Sequence, residues 1–220
     1  MSLLMFIHEP EQVLIVTDTL ATTMDGDPFL FQSKCWPVPQ MKMVMAGTGL
    51  APLHEAWYRT LQTSILARDI EMLNLHAPAA LRSLWKQLHA DHPDARGTAT
   101  VYHFGLPEGQ AHHVRYTYRS EHNFVSEYSV EGGFGVKPVP EFGIEAPDSL
   151  DGLINLAARI RAEQDAQPKA SRIHIGGELV LTSLQGAVAG SRVVHRFDDY
   201  DEMWQAMNDR LVKQPVTRGS

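Results

Sequence analysis

Cysteine is nearly absent: Cys35 is the single one in 220 residues. No internal disulfide can form, which fits a reducing cytosol. Cys35 lies in an apolar stretch and reads as buried filler rather than as a nucleophile. Hydrophobic runs are short, too short to span a bilayer, and no basic segment precedes them. HExxH, a Cys pair and a phosphate loop with its Lys-Ser/Thr end are all missing. No metal and no cofactor are therefore expected. His112 and His113 are adjacent, so on a strand they point to opposite faces and cannot chelate together. Lys and Arg number 19 against 26 Asp and Glu, a net charge of −7, and no basic cluster stands out. That argues against a nucleic-acid partner. With no internal repeat and no linker, 1–213 reads as one domain and 214–220 as a loose tail. The expected location is the cytoplasm.

What is present concentrates at the start. Ser2 becomes the first residue once Met1 is removed. Two apolar runs, LLMFI and VLIV, flank a break at Glu9-Pro10-Glu11-Gln12 and read as a strand pair. The serine starts one strand, Asp18 ends its neighbour, and Lys34 closes a third run. A serine hydroxyl is a weak nucleophile until a base takes its proton. An N-terminal serine carries its own base, an α-amine with a pKa of roughly 7.7–8.0. A lysine ammonium beside the hydroxyl favours the alkoxide, and a carboxylate paired with the lysine holds it there.

The rest of the chain reads as grouped strands and helices. Strands are expected at about 3–8, 13–18, 29–35 and 41–46. Leu50, Leu53, Trp57, Leu61 and Ile65 form one helical stripe, and a second helix follows Pro78. Strands return near 98–104, 113–118 and 124–130. Residues 136–147 hold three prolines and read as a loop. A helix spans about 148–164, strands lie at about 172–184 and 191–197, and a last helix covers 199–212. Grouping of this kind points to an α+β domain rather than to alternating βαβ units.

In the order and spacing of Ser2, Asp18 and Lys34, followed by Met43-Val44-Met45-Ala46-Gly47-Thr48-Gly49, the chain resembles the N-terminal-nucleophile hydrolases of the proteasome β-subunit type. The likeness is strongest over about residues 2–62. It implies a four-layer αββα sandwich of two largely antiparallel sheets between helix layers. It also implies Ser2 as nucleophile, Asp18 and Lys34 as its activating pair, and Asp165 beside the nucleophile's amine. Gly47 is the expected oxyanion donor, through a backbone N–H left free at a helix start; close packing is the other reason for a glycine there. Asp165 otherwise reads as a solvated helix end. The serines that usually accompany this aspartate are not in place, and Ser171, or less well Ser129, would substitute.

The implied activity is hydrolysis of peptide or other amide bonds. Two alternatives stand beside it: an inactive, proteasome-like structural subunit, and an amidase of small acylated metabolites. The implied partners are a peptide or small amide substrate, further copies of the chain in a ring or dimer, and an unfoldase. Helix faces rich in Met and Trp agree with a homo-oligomer.

Overall fold

The apolar runs that open the sequence are strands. In a computed structural model that describes residues 2–23, 25–130 and 132–213, β1 (Leu4–His8) and β2 (Gln12–Asp18) pair antiparallel, Leu4 opposite Thr17. The expected tail and the expected loss of Met1 lie outside the described residues. Further strands are β3 (Leu20–Thr22), β4 (Pro28–Phe31), β5 (Cys35–Val38), β6 (Met43–Gly49), β7 (Ala99–Gly105), β8 (Val114–Arg119) and β9 (Ser126–Ser129). Then come β10 (Gly133–Lys137), β11 (Glu178–Gln185) and β12 (Val188–Arg196). One sheet runs β10-β1-β2-β11-β12 and the other β5-β6-β7-β8-β9, and neighbours are antiparallel throughout.

Strand alternation explains why β1 is apolar on both faces. Leu4 and Phe6 face the other sheet, packing with Val44, Tyr102 and Phe104. Leu3 and Met5 turn outward onto Leu153, Ala157 and Ile160 of α4 (Leu150–Asp165). The second sheet is covered by α1 (Ala51–Thr63), α2 (Ile70–Asn74) and α3 (Ala77–Asp91), through Trp57, Leu61 and Leu81. The result is the expected αββα sandwich. A final helix, α5 (Tyr200–Lys213), lies on the β3–β4 hairpin, where Tyr200 stacks on Phe31 at 4.7 Å.

Several boundaries differ from expectation, each for a local reason. The strand expected at 29–35 is two, β4 in the hairpin and β5 in the second sheet. Pro37 lies inside β5, which is an edge strand and can spare one N–H. The loop expected over 136–147 begins too early, because Phe134 and Val136 alternate onto the α4 cluster and carry β10 to Lys137. The Gly47–Gly49 segment is no helix start: it is the end of β6.

Gly177 adopts φ +76°, and an added Cβ would stand 2.4 Å from Thr19 Oγ1, which accepts the Glu178 N–H at 2.8 Å. Its neighbour Gly176 holds the β2 end, as described below. Gly177→Ala is expected to cost about 2 kcal/mol, from left-handed backbone and crowding together. A shift of the denaturant midpoint at unchanged slope checks it.

Candidate functional site

Asp18 is fully buried at the end of β2, and the antiparallel register brings it opposite the start of β1. Its Oδ1 accepts the Leu3 N–H at 3.0 Å and the Lys34 ammonium at 2.7 Å. Its Oδ2 accepts the Gly176 N–H at 3.2 Å. A buried carboxylate with three donors, one of them a cation, has its desolvation offset. Lys34 is also buried; its Nζ donates to Leu20 O at 2.6 Å as well. Burial pushes the Lys34 ammonium below its usual pKa, and Asp18 opposes that shift. An ammonium has three N–H donors, and two are used here. Ser2, buried in its turn, is joined to Leu3, whose N–H sits on the same carboxylate oxygen as the lysine. Thus Ser2, Asp18 and Lys34 converge at one end of β1.

Gly47 has a different environment from the one expected. Its N–H donates to Lys34 O at 3.2 Å, because β6 continues through Gly47 and still pairs with the residue preceding β5. The need for glycine is steric: an added Cβ would fall 2.2 Å from Cδ2 of His54. His54 lies on the inner face of α1, with its ring near that of Trp36 and its Nε2 on Thr100 O at 3.2 Å. A carbonyl only accepts, so Nε2 carries the proton. Burial pushes its pKa down to about 4. His54 is the residue that sequence reasoning missed. Its signal was a polar side chain on the apolar stripe with Leu50, Trp57 and Leu61.

Asp165 ends α4, but its carboxylate is engaged by Arg161 at 3.3 Å and Arg172 at 3.4 Å. It lines a cleft of about 270 Å³ that also contains Leu20, His174 and Asp199. Asp199 in turn pairs with Arg161. Asp165 thus shares a cleft with Leu20, whose carbonyl holds Lys34, and its side-chain partners among the described residues are the two arginines. Ser171 donates its hydroxyl to Pro168 O at 3.1 Å, and Ser129 lies on β9 in the second sheet. Cys35 is buried and its thiol is pushed up to about 12 by that burial, which leaves it inert as a nucleophile. Among the described residues no group of three His, Cys, Asp or Glu is placed to hold a metal ion.

Two outcomes follow from these environments. Asp18→Asn leaves a buried ammonium without its counter-charge, and a loss of about 3–5 kcal/mol in unfolding free energy is expected. The second concerns acid. His54 is neutral in the folded chain, and so is His103, whose Nε2 accepts the Trp57 N–H at 2.9 Å and whose pKa burial lowers to about 3. Unfolded, both titrate near pH ~6.5, so below that the unfolded state binds the extra protons. Stability is lost as pH falls from about 6.5, by about 2 kcal/mol for each histidine near pH 5. Chemical denaturation of wild type and His54→Gln at both ends of that range tests this, the variant giving the shallower decline.

No family model matches the sequence, and no curated protein matches it. Solved structures do resemble it. Anbu from Hyphomicrobium sp. strain MC1, as a Gly-1 mutant, superposes with a TM-score of 0.61 at 9% identity, covering 97% of both chains. Anbu, described as an ancestral β-subunit, from Yersinia bercovieri gives 0.59 at 9%, over 99% of this chain and 100% of that one. A helical assembly of the Anbu complex from Pseudomonas aeruginosa gives 0.58 at 11%, over 97% of each. At such identities the likeness shows the fold alone: the chain shares with Anbu a sandwich of two antiparallel sheets between helix layers.

Proposed function

We propose that the chain is a proteasome-like N-terminal-nucleophile hydrolase that cleaves amide bonds, in peptides first, with Ser2 as nucleophile after Met1 is removed. The observation that carries this is the single Asp18 oxygen that holds both the Leu3 N–H and the Lys34 ammonium. It ties the backbone after the nucleophile to the cation that would lower the hydroxyl's pKa. The α-amine of Ser2 takes the hydroxyl proton, Oγ attacks the carbonyl, and the proton passes to the leaving amine. Water then releases the acyl group by the same steps. Gly47 would serve the oxyanion by sharing an N–H that now rests on Lys34 O. Asp165 would contribute only by way of its arginines' field.

A second reading, a structural subunit without activity, draws on that same occupied Gly47 amide and on Asp165 being held by Arg161 and Arg172. Amidase action on small acylated metabolites differs from the first reading only in substrate. Under any of them we propose a cytoplasmic homo-oligomer, a ring or dimer, because Leu66, Leu75 and Trp204 are exposed and a similar chain, Anbu, is found in a helical assembly. An unfoldase partner would be needed only if folded proteins are the substrate.

The expected result for the native chain expressed without a leader is an intact mass lacking Met1. A β-lactone should then add covalently to Ser2, with the adduct on the N-terminal peptide. Lys34→Ala and Ser2→Ala should each abolish labelling, Lys34→Ala being read only in a sample shown to be folded, since it also leaves the buried Asp18 carboxylate without its cation. A trimmed chain that stays unlabelled while a proteasome control reacts would remove the hydrolase reading and leave the subunit. Light scattering at micromolar concentration should give a multiple of the 24.6 kDa chain mass; a monomer would count against the oligomer.

A further inference from the structure

The interior of the sandwich should be apolar, since both sheets bury their inner faces there. β8 breaks that rule. Tyr116 and Tyr118 turn outward into the core under α1 and α3. Arg115, Thr117 and Arg119, spaced by two, therefore turn inward between the sheets. They form one wall of a cleft of about 390 Å³, with Phe6, Tyr102, Glu127 and Lys137 around it. It opens between β9 and β10, the edge strands of the two sheets. A volume of that size suits a small molecule.

The charges in the cleft do not balance. Arg119 is matched by Glu127, its Nε lying 3.0 and 3.1 Å from the two carboxylate oxygens. Arg115 has no carboxylate within ion-pair reach among the described residues; its guanidinium lies over the Phe6 ring at 4.8 Å, and its buried Nε has no hydrogen-bond partner. Lys137 Nζ donates to a neutral group, Thr100 Oγ1, at 2.9 Å. Among the described lining residues Glu127 is the single carboxylate and it is already bound by Arg119, so two half-buried cations face the cavity without a paired counter-ion, in a chain whose net charge is −7. Burial holds both below their usual pKa values, and the neighbouring Arg119 adds to this in each case. Half-buried charges of this kind are a cost to the fold that a bound anion would offset. The rest of the lining is aromatic: Phe6 and Tyr102 lie 5.8 Å apart between centroids.

We propose that this cleft binds a small organic carboxylate with an apolar or aromatic body. The carboxylate sits between Arg115 and Lys137, and the body lies against Phe6 and Tyr102. Arginine's planar fork suits a carboxylate, and its position over a ring leaves its outer N–H edge available. This site is separate from Ser2 and stands whether or not the chain is a hydrolase.

The test uses the full chain and three probes followed by NMR: 3-phenylpropionate, its amide, and inorganic phosphate. The acid should give saturable shifts in the millimolar range, localised to β8 and β10. The amide, with the same body and no charge, should bind about tenfold more weakly or not at all. Phosphate, with charge and no body, should not compete. Arg115→Gln and Lys137→Met should each weaken the acid by about tenfold. Arg115→Gln removes an unpartnered cation, so its melting temperature should hold or rise; should it fail to fold, Lys137→Met decides. Equal binding of acid and amide, stronger binding of phosphate, no saturation by the acid, or unchanged affinity in the folded variants would each overturn the proposal. Ser2→Ala should bind the acid as wild type does, which keeps this outcome distinct from the fate of the hydrolase reading.

Discussion

Everything at the front of this molecule hangs on the carboxylate of Asp18. It is buried, and three donors from three separate parts of the chain meet on it: the Leu3 N–H, the Gly176 N–H and the Lys34 ammonium. A buried carboxylate without these partners would cost several kcal/mol. The same contacts therefore fix where β1 begins, where the segment before β11 passes, and where the lysine points. Sheet register and site geometry share one constraint. Mutations here act on folding and chemistry together, so only a variant that stays folded speaks to mechanism.

The surroundings of that centre explain why two functional readings remain physically distinct. Gly47 is required because His54 packs on its Cα, and its N–H already has an acceptor in Lys34 O. A neutral His54, anchored on Thr100 O, makes this a rigid wall. Rigid walls favour catalysis when donors are preorganised. Here the donor is half-committed elsewhere, and Asp165 is absorbed into an arginine network around α4 and α5. That arrangement separates the two proposed readings, slow turnover in one and none in the other.

Much of this was legible in the sequence because β1 and β2 are long apolar runs with one break between them. That pattern places Ser2 and Asp18 side by side by register alone. Grouped strands and helical stripes pointed to an α+β domain, while the αββα layers and the pairing of Lys34 with Asp18 came from the family resemblance. The rest was hidden for physical reasons. Gly47 looked like a helix start because glycines serve both turns and close packing, and only the His54 ring tells them apart. The arginines on Asp165 were hidden because they lie on its own helix and on a loop beyond it, with no spacing signal that marks them as its partners. Pro37 obscured an edge strand, and Gly133 and Gly135 obscured the alternation of Phe134 with Val136 in β10. Arg115 and Arg119 alternate in β8 as a half-exposed strand would, so their inward direction could be seen only in three dimensions.

The central claim is that Asp18 delivers the Lys34 ammonium to the hydroxyl of Ser2. A crystal structure of the chain after loss of Met1 tests this most directly. The account requires Ser2 Oγ within about 3 Å of Lys34 Nζ, on the ammonium's third donor, with Asp18 and Leu20 O holding the other two. A structure in which Lys34 keeps its bonds to Asp18 and Leu20 O while Ser2 Oγ lies more than about 4.5 Å from Nζ, with no water between, would contradict it.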